Sequence, residues 1–420
     1  MASSSHIRRM SLVVFLVLVV CALAVAGCGS TTTTTAASGA TTTTAAGGTT
    51  TTGGGAVTTT APATGTTTAP SGGTVKLGAA GPYTGAIAQT GEMVKKAMQL
   101  AEEQCNAAGG INGKKLVVDY LDDKADPKEA AVVANKLAAD ASILGVVGHY
   151  NSSCTLAGAP IYAKAKVTEL SYGSTSPAVT DAGPYTFRNI TTDAYDGAFV
   201  AQWTFDEGYK KIAILYENND YGLGLANVYA AKIKALGGQV VMQEPYQLGE
   251  TKDFSALLTK MKGLSPDALF IAGEYNESAM IIKQGIRLGL KPPVFGSNGL
   301  YSDALIQLGG ADVEGVRVIG AFIASSASAT PEAKAFIDAF TAKYGSAPDI
   351  WGAFAYDAMN LMIDAVKNAG ESRDKINAWM TTVKDWKGAT GITTFDANGD
   401  CLKEPLKLVI KDGKFQLYTK

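Results

Sequence analysis

From residue 75 to residue 296 the sequence alternates short apolar runs with longer amphipathic ones, and this rhythm starts twice. Residues 75–80, 115–121, 143–148 and 167–171 read as strands, with helices between them at 92–106, 126–138 and 153–165. Strands joined by whole helices need crossover connections, so they lie parallel in a sheet whose faces are covered by helices. After a loop around 183–192 and a helix near 194–207 the pattern resumes. Strands are expected at 211–216, 239–243, 268–273 and 294–296, with helices at 222–236, 253–263 and 277–288. The fold class is therefore α/β, with two doubly wound parallel-sheet lobes of about equal size. No repeat short enough for a solenoid is visible.

Local signals sharpen this reading. Asp126, Pro127 and Glu129 form a strong helix start. Beyond residue 300 the sequence predicts a strand near 316–322, a helix capped by Thr330-Pro331-Glu332, and helices at 354–368 and near 375–383. Asp412-Gly413 between 406–411 and 414–419 is a hairpin signal.

The chain has 420 residues, 46% hydrophobic and 18% charged, enough for a large core and for two globular units. A net charge of only −2 does not suggest nucleic acid as a partner. His6, Arg8 and Arg9 precede an apolar run at 12–26 that ends in Val25-Ala26-Gly27-Cys28. This resembles a bacterial lipoprotein signal: residues 1–27 would be removed, and Cys28 would carry the lipid that anchors the chain to a membrane. Residues 28–73 are almost entirely Thr, Ala, Gly and Ser, with no run able to bury apolar surface, and read as a disordered tether. Cys21 goes with the signal, which leaves Cys105, Cys154 and Cys401 in the folded part. An odd count without a CxxC pair points neither to a disulfide framework nor to zinc; a single bridge stays open.

Candidate chemistry gathers where strands end. Residues 145–155, Gly-Val-Val-Gly-His-Tyr-Asn-Ser-Ser-Cys-Thr, run from an apolar strand into Ser152 and Ser153 at the start of a helix. Free N–H groups there, the positive end of the helix dipole and two hydroxyls suit a carboxylate. Ser174 and Thr175 supply a second set of donors from the next strand end. In open α/β sheets ligands sit at such carboxyl ends, and Glu274 and Asn298 occupy the same edge in the second half.

Enzyme signatures are sparse. His149 is the one histidine beyond the signal, and hydrolysis would require it to serve Ser152 or Ser153 as general base, an arrangement that neighbours on a strand-to-helix turn disfavour. Gly222-Leu223-Gly224 lies between a strand and a helix but lacks the third glycine of a dinucleotide fingerprint, so close packing is favoured. Residues 396–400 suggest a calcium loop without its downstream glutamate, and a turn is expected. Asp122-Asp123 reads as a cap or a solvent-facing pair.

Several stretches in order resemble the branched-chain amino-acid binding proteins, solute-binding proteins that serve ABC transporters. They are Gly81-Pro82-Tyr83-Thr84-Gly85, the run Asn106 to Gly113, Asp122-Asp123 with Asp126-Pro127, Val147-Gly148-His149, Asp220-Tyr221-Gly222, and Lys252-Asp253-Phe254-Ser255. The resemblance covers nearly all of 74–420. It implies two Rossmann-like lobes joined by three crossovers, closing on ligand about a hinge: residues 74–192 with 322–392 as lobe one, and 193–321 with 393–420 as lobe two. It implies no enzymatic activity, no cofactor and no metal, a small-molecule ligand, an ABC permease as partner, and a monomer outside the cytoplasm.

Carried over by position, the resemblance places the ligand carboxylate at Ser152 and at Thr175, with the backbone near Gly173 and Thr175 also turned to the ligand, Tyr221 reaching in from the second lobe and Trp351 walling the side-chain pocket; Asn151 and Ser174 beside them are expected in the binding set. Relatives for leucine-type ligands carry a glutamate for the ammonium group where this chain has Asn298, and an aromatic residue where it has Glu274. Either Glu274 has taken over the charge, or the ligand lacks an α-ammonium group. Thr90 stands where an aromatic residue usually packs, which widens the pocket or makes it more polar. The relatives' lobe-one disulfide positions are Ala125 and Asn151 here. The expected function is capture of a small amino acid for import; urea, short amides or aromatic carboxylates are the alternative cargo, and ligand sensing the alternative role.

Overall fold

A computed structural model describes residues 70, 72–324 and 330–420. The expected signal, Cys28 and the tether lie outside the described residues. A five-stranded sheet is built entirely of parallel strands in the order β2-β1-β3-β4-β5. These are β1 (Thr74–Gly81), β2 (Lys115–Asp122), β3 (Ile143–Val147), β4 (Thr168–Ser171) and β5 (Thr186–Arg188), with α1 (Ala88–Ala107), α2 (Pro127–Ala139) and α3 (Ser152–Lys164) as crossovers. The β5 strand falls within the segment expected to be a loop. Its Thr-Phe-Arg run is too short for a periodic signal, and pairing with β4 makes it a strand. At the start of α2, Asp126 accepts from the N–H groups of Lys128 and Glu129, as the sequence predicts.

The second sheet has seven strands in the order β14-β13-β10-β9-β8-β6-β7. The chain enters it through α4 (Asp193–Asp206) and alternates β6 (Lys211–Glu217), α5 (Asp220–Ala235), β7 (Gln239–Tyr246), α6 (Ser255–Leu264), β8 (Ala268–Ala272), α7 (Tyr275–Arg287) and β9 (Val294–Gly296). A short helix the sequence did not signal, α8 (Asp303–Gly309), leads to β10 (Arg317–Gly320). The chain then returns to the first sheet, where α9 (Pro331–Tyr344), α10 (Ile350–Ala369) and α11 (Arg373–Met380) follow, α10 packing on α1 and β3. A small antiparallel pair, β11 (Trp386–Gly388) and β12 (Gly391–Thr393), precedes the last passage into the second sheet. There β13 (Leu406–Lys411) and β14 (Lys414–Leu417) close the edge as an antiparallel hairpin.

The hairpin turn has φ values of 53° at Asp412 and 68° at Gly413, the geometry that Asp-Gly favours. The Glu314 carboxylate accepts from both of their N–H groups. At Gly222 a Cβ would lie 2.2 Å from the Glu217 carbonyl oxygen, so this glycine lets α5 start hard against β6. Asp396 caps its own turn by accepting from the N–H groups of Asn398 and Asp400. Cys105, Cys154 and Cys401 are free thiols, all buried. No helix among the described residues is long and apolar enough to cross a membrane.

Candidate functional site

The carboxyl ends of the two sheets face each other across a narrow cavity. Tyr150, Asn151, Ser152, Gly173, Thr175 and Trp351 line it from the side of the first sheet, and Tyr221, Glu274, Asn298 and Gly299 from the second. Eight of the residues singled out in the sequence thus meet at one place. Two do not reach it. Ser174 sits between Gly173 and Thr175, and its hydroxyl turns back to Thr155 Oγ1 (2.8 Å) and the Tyr150 carbonyl (3.0 Å). Thr90 is buried in the first turn of α1 beside Tyr275, away from the cavity. Tyr150 and Gly299 were not foreseen. Tyr150 stands edge-on to Trp351, with ring centroids 4.8 Å apart, and forms the apolar wall with it.

One side of the cavity offers donors. Among the described residues no acceptor meets the backbone N–H groups of Ser152, Ser153 or Thr175. Ser152 Oγ accepts from the Ser176 N–H (3.2 Å), which leaves its own proton free for a ligand. The start of α3 adds the positive end of its dipole. A carboxylate is the small group that this set of donors satisfies.

The other side offers acceptors. Thr175 Oγ1 gives its proton to Asp193 Oδ2 (2.9 Å), so its lone pairs face outward. Glu274, 3% exposed, ends the loop after β8 and accepts from the Tyr150 hydroxyl at 3.4 Å. Burial pushes its carboxyl well above the ordinary range, and Glu217 behind it pushes further in the same direction. Glu217 is itself raised to about 8 by burial, with Glu277 adding to the effect. Asn298 completes the wall at the end of β9 and donates through Nδ2 to Asp196 Oδ2 (2.8 Å).

Asp193 and Asp196 escaped the reading of the sequence. Aspartates in the first turn of a helix ordinarily face water and favour the dipole, yet both are buried at the start of α4, which packs on α5, β9 and β10. Their spacing of three, which puts them on one helix face, was the signal available. Asp123 meets its expectation only in part: its Oδ1 accepts from the Ala125 N–H as a turn cap, yet it does not face solvent. It is fully buried, and its Oδ2 lies 2.6 Å from His149 Nδ1, while His149 Nε2 faces the Tyr162 hydroxyl at 3.3 Å. Both imidazole nitrogens are thus engaged away from Ser152 and Ser153, and neither serine has a histidine base.

Contacts across the cleft hold the two edges together. Ser153 Oγ donates to Asp220 Oδ2 (2.6 Å) and accepts from the Asp220 N–H (3.1 Å). Asn276 Nδ2 donates to the Ala86 carbonyl. On the first-sheet side the loop carrying Thr175 is fastened by Arg188, whose guanidinium bonds the carbonyls of Ser174 (3.2 Å) and Ser176 (2.7 Å) and pairs with Asp400 (2.6 Å).

Known proteins resemble this chain in sequence and in fold. A family model described as periplasmic binding protein matches residues 74–409, most of the chain. The chain belongs to the periplasmic binding protein family. Among curated relatives of this periplasmic binding protein, a Leu/Ile/Val-binding protein homolog of Brucella suis is 33% identical over 331 residues, 78% of this chain and 87% of the relative. Among solved structures, a leucine-binding protein of Thermotoga maritima superposes with a TM-score of 0.78 at 32% identity, covering 82% of this chain and 98% of the other. The substrate-binding protein of a branched-chain amino acid transporter from Streptococcus pneumoniae, in complex with isoleucine, gives 0.76 at 32% identity, with coverage of 82% and 98%. The α/β fold of two parallel-sheet lobes is the type I fold of these binding proteins.

Proposed function

We propose that the protein captures a small α-amino acid of the leucine, isoleucine and valine class outside the cytoplasm and delivers it to an ABC permease. The observation that carries this reading is the polarity of the cavity. Donors at Ser152 and Thr175 suit a carboxylate; acceptors at Thr175 Oγ1 and Glu274 suit an ammonium group; Tyr150 and Trp351 form an apolar wall for an aliphatic side chain. The relatives' names, including a transporter component that holds isoleucine, support the same class of cargo.

In this reading residues 74–192 with 322–392 move as one lobe and residues 193–321 with 393–420 as the other. Ligand bridges the lobes only when they are closed, so binding favours that arrangement. Glu274 supplies the negative charge that leucine-type relatives place elsewhere. Lipidation at Cys28 and the Thr-rich tether would keep the receptor near its permease.

Titration calorimetry with leucine, isoleucine, valine, 4-methylpentanoate, benzoate and urea tests the proposal. Binding of the aliphatic amino acids, with 4-methylpentanoate much weaker, is the expected result. Binding only of compounds without an α-ammonium group would overturn it. The lipid is tested separately, by the mass of the mature N-terminus in membrane extracts.

A further inference from the structure

Asn298 presents a problem that its own chemistry does not solve. An amide offers either a donor or an acceptor to the cavity, depending on which way it is turned, and an ammonium group needs the acceptor. The structure contains the group that decides. Asn298 Nδ2 lies 2.8 Å from Asp196 Oδ2. An ionised carboxylate only accepts hydrogen bonds, so it holds the NH2 end of the amide and leaves Asn298 Oδ1 on the other side. Among the described residues Asn298 Oδ1 meets no donor, and Asn298 lines the cavity.

We infer that Asp196 is a positioning residue: it turns the Asn298 amide so that the carbonyl oxygen faces the cavity and accepts from the ligand's ammonium group. The inference rests on the amino-acid reading above. Asp196 is 2% exposed, and its Oδ1 has no hydrogen-bond partner. A merely structural tie between α4 and β9 would be served by a neutral amide, without burying a carboxylate oxygen that nothing satisfies. A cation arriving on the far side of Asn298 gives that charge a counterpart. Asp193, one helical turn earlier on the same face, does the corresponding work at Thr175 by taking the hydroxyl proton. The two aspartates thus set the polarity of two cavity acceptors from behind, and neither lines the cavity itself.

The test is the affinity of the full protein for leucine and for 4-methylpentanoate, which lacks the ammonium group. Burial pushes the Asp196 carboxyl up to about 7, so calorimetry belongs at about pH 8.5, where the group is ionised. Asp196→Asn should lower the preference for leucine over 4-methylpentanoate by about tenfold or more, with 4-methylpentanoate binding unchanged. The paired exchange of Asp196→Asn with Asn298→Asp should restore the preference, because an acceptor-only group then faces the cavity directly. An unchanged preference in a folded Asp196→Asn protein overturns the inference, as does a folded paired exchange that fails to regain it. If Asp196→Asn does not fold, the paired exchange decides alone; if neither folds, Asp196 is structural and the assignment falls. Wild-type protein that binds no amino acid would overturn the amino-acid reading itself, and this inference with it.

Discussion

Ser153 and Asp220 hold each other by two hydrogen bonds, the serine hydroxyl donating to the carboxylate at 2.6 Å and accepting the aspartate's own N–H at 3.1 Å. The pair joins the first turn of α3 to the first turn of α5, and so joins the polar edges of the two sheets. Each partner can be hydrated when the edges separate. Ser153→Ala should therefore leave folding intact and weaken ligand binding by about 1 kcal/mol, roughly fivefold in Kd. Calorimetry beside a thermal melt checks this, and equal losses in both would mean that the contact serves folding instead.

Glu274 is the charge nearest the proposed ammonium position. Glu274→Gln preserves shape and removes that charge, and should cost an α-amino acid on the order of 1.5–3 kcal/mol of binding free energy. Unchanged affinity would refute the ammonium role. Burial and Glu217 raise the Glu274 carboxyl, so its protonated form competes with an ammonium ligand. Affinity should then fall as pH is lowered, and calorimetry in buffers of different ionisation enthalpy should detect proton release, which Glu274→Gln abolishes.

Stability should respond to pH in the direction opposite to that of an exposed, salt-bridged surface. Burial raises the carboxyls of Glu217 to about 8, and of Asp196 and Asp349 to about 7. A folded state that holds these protons more tightly than the unfolded chain is favoured while the protons are present. That contribution is complete below the unfolded values near 4 and is lost as pH rises through about 7 to 8. The melting temperature without ligand should thus be higher at about pH 5.5 than at about pH 8.5. Added ligand should narrow the difference, since an ammonium group favours the ionised form of Glu274.

Gly173 tests the geometry of the apolar wall. A Cβ there would lie 2.4 Å from Cδ2 of the Tyr150 ring, which in turn rests against Trp351. Gly173→Ala should push Tyr150 into the cavity and reduce affinity by about tenfold or more, while α4 and the second sheet keep their structure. Affinity within about twofold of wild type would show that the tyrosine has room to move.

The architecture was legible because crossover helices and short apolar strand runs leave strong local patterns, and the strand-end cluster followed from where parallel sheets bind ligands. Less visible were features set by tertiary contact. Ser174 and Thr175 are neighbours of similar chemistry, and only the path of the loop, fastened by Arg188, sends one hydroxyl inward and the other to the cavity. Asp123, Asp193 and Asp196 look like surface charges at strand and helix ends. Burial gives each a partner distant in sequence, at His149, Thr175 and Asn298, and no local pattern records such a pairing. The β5 strand was missed because three residues become a strand only when β4 lies beside them.

The latches at Ser153–Asp220, Tyr150–Glu274 and Asn276–Ala86 have a kinetic meaning as well. A molecule bound by both edges keeps its contacts while they hold, so its departure waits on separation of the edges, an event whose frequency belongs to the protein more than to the cargo. Cargoes that differ in affinity should then share a similar ceiling on their release rates. Excess competitor would replace bound ligand only at the pace of spontaneous opening, and rapid unloading would require a partner that prises the edges apart.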